Sequence, residues 1–326
     1  MAMRALRSLL RSRIFAVVFG LGFTALLLWR IGPTRVGDSL IRVNLPLMGA
    51  AVALNVPVVM LRTWRTHVLL RRLGARVPLW RLVTSGVIGL TLSGITPAAG
   101  GDLVRAYLWR RDDEVPVRSG ALVVVVERVG SLGLMGLLGL STFALQVSDW
   151  RLRALAAVAW VCLAVPWLVS RLGLGPWALQ ELGRLPLIRR RAALVERSAD
   201  DLTLLSEDLV LQGWFLVLSL TIFAISGAQV WLLVIGLGGA VPLVAAIAGY
   251  CISQVGGAVS TLPFGVGAGD VLLVVILTQA GLAAHMGAAA AILIRVATTL
   301  PIAVAAVVAW ALTLPVRRNL SSVDIR

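Results

Sequence analysis

The sequence predicts an all-α polytopic membrane protein made of two inverted repeats, each with about three transmembrane helices and one re-entrant, broken hairpin. Three observations predict it. First, 59% of the 326 residues are hydrophobic and the mean hydropathy is +0.94, far above a soluble domain. Second, no charged residue occurs from Leu209 to Gly269, which is room for more than two crossings at about 20 residues each. Third, a Pro/Gly-rich motif ending in Asp interrupts an apolar run twice: TPAAGGD (Thr96 to Asp102) and LPFGVGAGD (Leu262 to Asp270). An arginine follows inside the next apolar segment, 26 residues after Asp102 at Arg128 and 25 after Asp270 at Arg295. Matching broken segments in two apolar halves point to a transport site near the bilayer midplane.

Charge orients the segments. The net charge is +15, and all 30 basic residues are arginine. Arginine accumulates on the cytoplasmic side of membrane proteins and is also drawn to anionic lipid. These arginines flank apolar spans and form no soluble basic face, so nucleic-acid binding is not expected. The N-terminal run after Arg4, Arg7, Arg11 and Arg13 has no small-x-small cleavage site behind it and reads as a retained first helix, about Ile14 to Trp29.

A second crossing is expected from Val43 to Leu61. It leads to a cytoplasmic basic loop holding Arg62, Arg65, Arg71, Arg72, Arg76 and Arg81. The stretch after the first motif is again basic, with Arg105, Arg110, Arg111 and Arg118. Leu82 to Asp113 therefore reads as a hairpin that enters and returns, its turn at Pro97, Gly100 and Gly101. Ser119 to Ser148 then crosses outward and Ala154 to Ser170 crosses back. Residues 171–208, with six Arg and six acids, read as an amphipathic cytoplasmic connector. Leu209 to Gly236 crosses outward. Leu243 to Ala284 forms the second hairpin around Pro263, Gly265, Gly267 and Gly269, and Gly287 to Leu314 returns inward. The expected division of this single transmembrane domain (1–326) is 1–148 for the first repeat. The second comprises 149–170 and 209–326, with the connector 171–208 inserted. An odd number of crossings per half inverts the second half, so the hairpins would enter from opposite faces.

The candidate binding residues are Arg128, Arg295, Asp102, Asp270, Arg105 and Glu127. Arg128 and Arg295 lie about eight or nine residues, or about 12–14 Å, into an apolar helix. That is near the centre of a hydrocarbon layer about 30 Å thick. A central Arg costs roughly 2.5–3.5 kcal/mol, so each must face a protein partner or a wet cavity. Asp102 and Asp270 are the expected partners, within or across the repeats, because Glu127 neighbours Arg128 in sequence and points elsewhere on the helix. One reading of these pairs is a structural lock; the other is a phosphate site, since the planar Arg fork matches phosphate oxygens. Asp102 and Asp270 also suit helix N-caps. Arg105 either guards the cytoplasmic mouth or snorkels to the interface. Ser93, Thr96, Ser253, Gln254, Ser260, Thr261, Thr298 and Thr299 are expected mainly to satisfy backbone groups freed by the breaks.

Nothing in the sequence carries a cofactor or metal pattern. Gly265, Gly267 and Gly269 lack the strand that a dinucleotide loop requires. His67 and His285 are isolated, and Cys162 and Cys251 sit in apolar runs. No nucleophile–base pattern stands out, and no enzyme activity is expected.

Taken together, several motifs resemble the lysylphosphatidylglycerol synthase transmembrane-region family, also called flippase-like domain proteins. The carriers are Trp64-Arg65 ahead of a Gly-bearing run, TPAAGGDLVRAYLWRR (Thr96 to Arg111), Glu127-Arg128, LPFGVGAGD and Arg295. Asp270 stands where the family pattern has Glu. The resemblance implies lipid flipping or lipid transport in the plasma membrane of a prokaryote, with both termini cytoplasmic. Its members are linked to aminoacylated phosphatidylglycerol, polyprenyl-phosphate sugars and other envelope lipids. Two-domain members carry a soluble aminoacyl-transferase domain after the membrane part. The sequence ends at Arg326 without one, so synthesis of lysylphosphatidylglycerol is not expected of it. The expected partners are anionic membrane lipids and a lipid-modifying enzyme. The alternatives are a membrane enzyme acting on a lipid headgroup, or a non-transporting partner of a glycosyltransferase or lipid synthase.

Overall fold

The computed structural model describes residues 26, 29–113, 115–146, 150–151, 153–158, 160–161, 201–260, 265 and 267–321. Most of the predicted first crossing, most of Ala154 to Ser170, most of the connector, Thr261 and Pro263 lie outside them. The described elements are helical: α1 (Pro33–Ile41), α2 (Leu45–Ala53), α3 (Asn55–Arg72), α4 (Leu79–Ile95), a 3-10 turn (Pro97–Asp102), α5 (Leu103–Asp113), α6 (Val117–Gln146), α7 (Leu209–Gly236), α8 (Leu243–Val259), α9 (Ala268–Gln279) and α10 (Ala284–Ser321). Among the described residues four spans are long and apolar enough to cross a membrane: Leu45–Arg72, Val117–Gln146, Leu209–Gly236 and Ala284–Ala311. The chain is an all-α polytopic membrane protein.

Local chemistry sets the helix ends. Asn44 caps α2 by accepting the Leu47 N–H at 3.1 Å, with Pro46 in the first turn, where no N–H is needed. Helix α3 ends at a Gly74 with φ of 80°, and the Ala75 N–H reaches back to the Leu70 carbonyl at 3.0 Å. That left-handed glycine ending is built for a helix stop. Helix α7 ends the same way: Gly238 has φ of 79° and the Gly239 N–H bonds Val234 at 3.0 Å. In both places the segment reads Leu-Gly-x-x-Val-Pro-Leu, at Leu73–Leu79 and Leu237–Leu243. In both, a helix of 17 residues follows the proline. The order of elements therefore occurs twice, as α3–α4–turn–α5–α6 and as α7–α8–turn–α9–α10.

Each broken segment is an antiparallel helical hairpin closed by glycine. In the first, Trp109 of α5 donates to Ser85 of α4 at 2.8 Å, and Gly89 faces the Arg105 stem. A Cβ on Gly101 would stand 2.2 Å from the Leu92 carbonyl carbon. In the second, Gly249 faces Leu273, and a Cβ on Gly269 would stand 2.9 Å from the Ser253 oxygen. The glycine just before each Asp thus lies on the backbone of the opposite leg, an approach no larger residue permits. Thr96 reinforces the first turn, accepting the Gly101 N–H at 2.6 Å and donating to Leu92 at 2.8 Å.

The hairpins start at opposite ends of the bundle. Helix α7 runs antiparallel to α2–α3: the Asn44 N–H bonds the Gly236 carbonyl at 2.8 Å, while Arg72 pairs with Asp208 at 2.9 Å. The first hairpin follows the Arg72 end and the second follows the Gly236 end. The packing is reciprocal, α4 lying on α10 and α8 on α6. Small residues permit it: a Cβ on Gly139 of α6 would stand 2.8 Å from Ile252 of α8, and one on Gly227 of α7 would stand 2.5 Å from Ile247. Close packing on small residues is what holds helices together in lipid.

One expectation needs correction. The predicted basic loop from Arg62 is helix: α3 continues to Arg72. No Gly or Pro occurs between Val58 and Leu73 to stop it.

Candidate functional site: an arginine-lined cavity between the two halves

Where the hairpins meet α3, α6, α7 and α10, the bundle encloses a cavity of about 530 Å³. All six candidate residues from the sequence line it: Asp102, Arg105, Glu127, Arg128, Asp270 and Arg295. Arg62 and Arg65 line it as well. Five arginines face three carboxylates, so the wall carries two net positive charges. Ser93, Thr96, Ser253, Gln254, Thr298 and Thr299 add polar surface. Several of them also satisfy backbone groups, as Ser253 does at Tyr250 (2.8 Å) and Thr298 at Ile294 (2.6 Å). Ser260 bonds the Gly257 carbonyl (2.8 Å) and is not part of the wall.

Each Asp pairs with the arginine of its own half. Arg128 Nη1 lies 3.6 Å from Asp102 Oδ2. Arg295 donates to Asp270 Oδ1 through Nη2 at 2.7 Å and Nε at 2.9 Å. Asp270 Oδ2 also accepts the Gly267 N–H at 3.0 Å, and Gly267 has φ of 94°. Asp270 is thus cap and ion-pair partner at once, and the two readings of it are both satisfied. Asp102 differs: its Oδ1 is buried with no hydrogen-bond partner. Among the other turn residues, Gly265 lines the cavity, Gly100 is exposed and Gly101 is buried in the turn, and Pro97 opens the 3-10 turn.

Glu127 organises the first half. It is 5% exposed. Its Oε1 accepts Thr66 Oγ1 at 2.6 Å, and its Oε2 accepts Arg105 Nη1 at 3.1 Å. Arg65 Nε lies 3.6 Å from Oε1. Arg105 also donates to Thr66 at 2.8 Å and stacks on Trp109, 5.0 Å from the ring centre. Arg105 therefore does not snorkel; its side chain is turned inward. Arg65 donates to Ser131 at 3.0 Å and Ser219 at 2.8 Å, tying α3 to α6 and α7, and sits 4.9 Å over Phe215.

Sequence reasoning missed Arg62 and Arg65 by placing them in a loop. The available signal was their i, i+3 spacing, with Thr66 adjacent, inside a run that no helix breaker ends. Arg62 is the least committed of the five arginines. Among the described residues it has no ion pair within 4.0 Å, and its Nε is buried without a hydrogen-bond partner.

A sequence model of the lysylphosphatidylglycerol synthase transmembrane region matches residues 13–306. The chain belongs to this family. The match takes in both hairpins and every charged residue of the cavity. The chain is also similar to a UPF0104 membrane protein of Methanothermobacter thermautotrophicus, with 24% identity over 302 residues, 86% of this chain and 89% of that protein. That likeness extends over most of both chains.

Proposed function

We propose that this member of the family is a lipid flippase, moving an anionic, phosphate-bearing lipid between leaflets. The observation that carries the reading is the cavity: five arginines against three carboxylates, drawn from both halves, in a bundle with apolar outer faces. Arginine in lipid is costly unless a partner or water meets it, and a phosphate headgroup supplies that partner. The headgroup would sit among the arginines while its tails stay in the bilayer. The two hairpins are read as re-entrant elements of inverted repeats. The antiparallel course of α7 against α2–α3, the repeated Leu-Gly-x-x-Val-Pro-Leu segment and the reciprocal packing all support this. Alternating access would then be a rocking of the two halves about the central site. On this reading the Arg72–Asp208 end faces the cytoplasm in a prokaryotic plasma membrane, an orientation its arginines support.

The test is a leaflet-resolved assay in reconstituted vesicles carrying fluorescent phosphatidylglycerol or phosphatidylcholine in trace amounts. The expected result is protein-dependent movement of phosphatidylglycerol with its headgroup unchanged. A chemically altered headgroup would make the protein an enzyme. Neither movement nor change, across a panel of anionic lipids, would leave it a partner of another membrane protein.

A further inference from the structure

The two Asp–Arg pairs occupy equivalent places in the two halves, yet their chemistry differs. At Asp270 every acceptor is engaged: Oδ1 by two Arg295 nitrogens and Oδ2 by the Gly267 N–H. At Asp102 one oxygen has no partner although buried, and the other meets Arg128 only at 3.6 Å. Arg128 is also the more open arginine, its side chain 41% exposed against 30% for Arg295. Close by, Arg62 has no carboxylate within 4.0 Å among the described residues, and Arg105 is held back by Glu127 and Thr66. The charges bearing on Asp102 are those of Arg105, Arg128 and Arg62, with Glu127 acting against them. A buried polar atom left without a partner is rare and calls for a ligand, water or strain to explain it. Here such atoms gather on one side of one cavity, on Arg62, Arg65, Asp102 and Arg105.

We infer that the cavity holds a single oxyanion seat, formed by Arg62 and Arg128 beside the first hairpin, in which Asp102 is the resident counter-ion that a phosphate displaces. The Asp270–Arg295 pair is the latch of the second hairpin and does not bind ligand. This rests on reading the cavity as an anion site, but not on translocation. Displacement follows from geometry. Arg128 can offer a phosphate two parallel N–H bonds, which its 3.6 Å approach to Asp102 does not supply. Arg62 gains a partner it otherwise lacks. The carboxylate then competes with the ligand, so removing its charge strengthens binding and removing Arg62 weakens it.

The experiment uses the full chain in phosphatidylcholine nanodiscs, with dihexanoyl phosphatidate and inorganic phosphate as separate probes in a direct binding titration. Asp102→Asn is expected to tighten phosphatidate binding about tenfold, and Arg62→Gln to weaken it about tenfold, the scale of one charge-assisted contact. Arg62→Gln should melt no earlier than the wild type, because it removes a charge that has no ion pair among the described residues and whose Nε is buried without a partner. Asp270→Asn should lower the melting temperature and leave binding no tighter. Inorganic phosphate bound as well as phosphatidate would assign the seat to the free anion; phosphatidate alone would assign it to lipid. Weaker binding in Asp102→Asn, unchanged binding in Arg62→Gln, or no binding of either probe overturns the seat. Binding without movement in the vesicle assay removes the flippase and keeps the seat. Movement undiminished by Arg62→Gln does the reverse.

Discussion

The adjacent glycines of the first turn offer a matched test of how the site is positioned. A Cβ on Gly101 would stand 2.2 Å from the Leu92 carbonyl carbon, 2.3 Å from the Ser93 nitrogen and 2.5 Å from the Leu92 oxygen. All three are backbone atoms, so no side chain can swing aside; the two legs must part by roughly an ångström to restore ordinary contact near 3.5 Å. Overpacking of that kind costs about 1–3 kcal/mol. One residue earlier, a Cβ on Gly100 meets nothing closer than Thr96 Oγ1 at 3.9 Å. Gly100→Ala should therefore be neutral, or stabilise by about 0.4–1 kcal/mol by restricting the unfolded chain. Gly101 directly precedes Asp102, so parting the legs also moves the carboxylate off Arg128. The expected outcome is a clear drop in melting temperature for Gly101→Ala, read by fluorescence-detected size-exclusion chromatography after heating. Lipid movement in vesicles should fall with it, and Gly100→Ala should do neither. Indistinguishable behaviour of the two variants would refute the close approach of the turn to α4, and with it the account of how Asp102 is placed.

Three further expectations follow from the ion pairs and the hairpin orientation. Glu127→Gln leaves Arg65 and Arg105 without their carboxylate and should cost on the order of 3 kcal/mol; an unchanged melting temperature would remove Glu127 from its organising role. In a double-mutant cycle, Arg295→Ala and Asp270→Asn should each destabilise the protein, with a coupling of about 1–3 kcal/mol; strict additivity would dissolve the latch. Single cysteines at Arg110 and Ala283, in a background without Cys162 and Cys251, should be labelled by an impermeant thiol reagent from opposite sides of intact vesicles; labelling from one side would exclude inverted hairpins.

Much of the site was legible in the sequence because membrane physics narrows the choices for a charge at depth. Arg128 and Arg295 could be placed near mid-membrane by counting residues. Each then needed a carboxylate, and the Asp closing each motif was the candidate, within or across the repeats, because adjacent Glu127 points elsewhere on the helix. The structure pairs them that way. Arg62 and Arg65 were not legible, because a run of arginines after an apolar segment looks like an interfacial loop to any average of hydropathy. Only the helix face they share, and a partner 62 residues beyond Arg65 at Glu127, reveal them as cavity residues. Arg105 was ambiguous for a related reason. Whether it points to water or inward depends on how α5 folds back over Gly89 and against α6, a tertiary fact with no local signature. The paired Leu-Gly-x-x-Val-Pro-Leu segments were present in the sequence throughout. Their meaning emerged once Gly74 and Gly238 were seen ending equivalent helices.

The duplicated scaffold also explains why the charges can be unequal. Two halves of the same element order supply two hairpins, two turns and two long helices bearing arginine, and each needs one Asp–Arg pair to hold hairpin against helix. The second half stops there, with Asp270 saturated and the pair neutral. The first half adds Arg62, Arg65 and Arg105 but only Glu127 in return. Among the described residues no carboxylate lies within 4.0 Å of Arg62, and a centrally placed arginine costs roughly 2.5–3.5 kcal/mol. A design for stability alone would place an apolar residue there, since exchanging buried charge for apolar packing is commonly neutral or stabilising. The group that reverses that sign is an anion entering from outside the chain. On the proposed reading the asymmetry gives the halves separate work: the balanced one fixes geometry, and the unbalanced one binds.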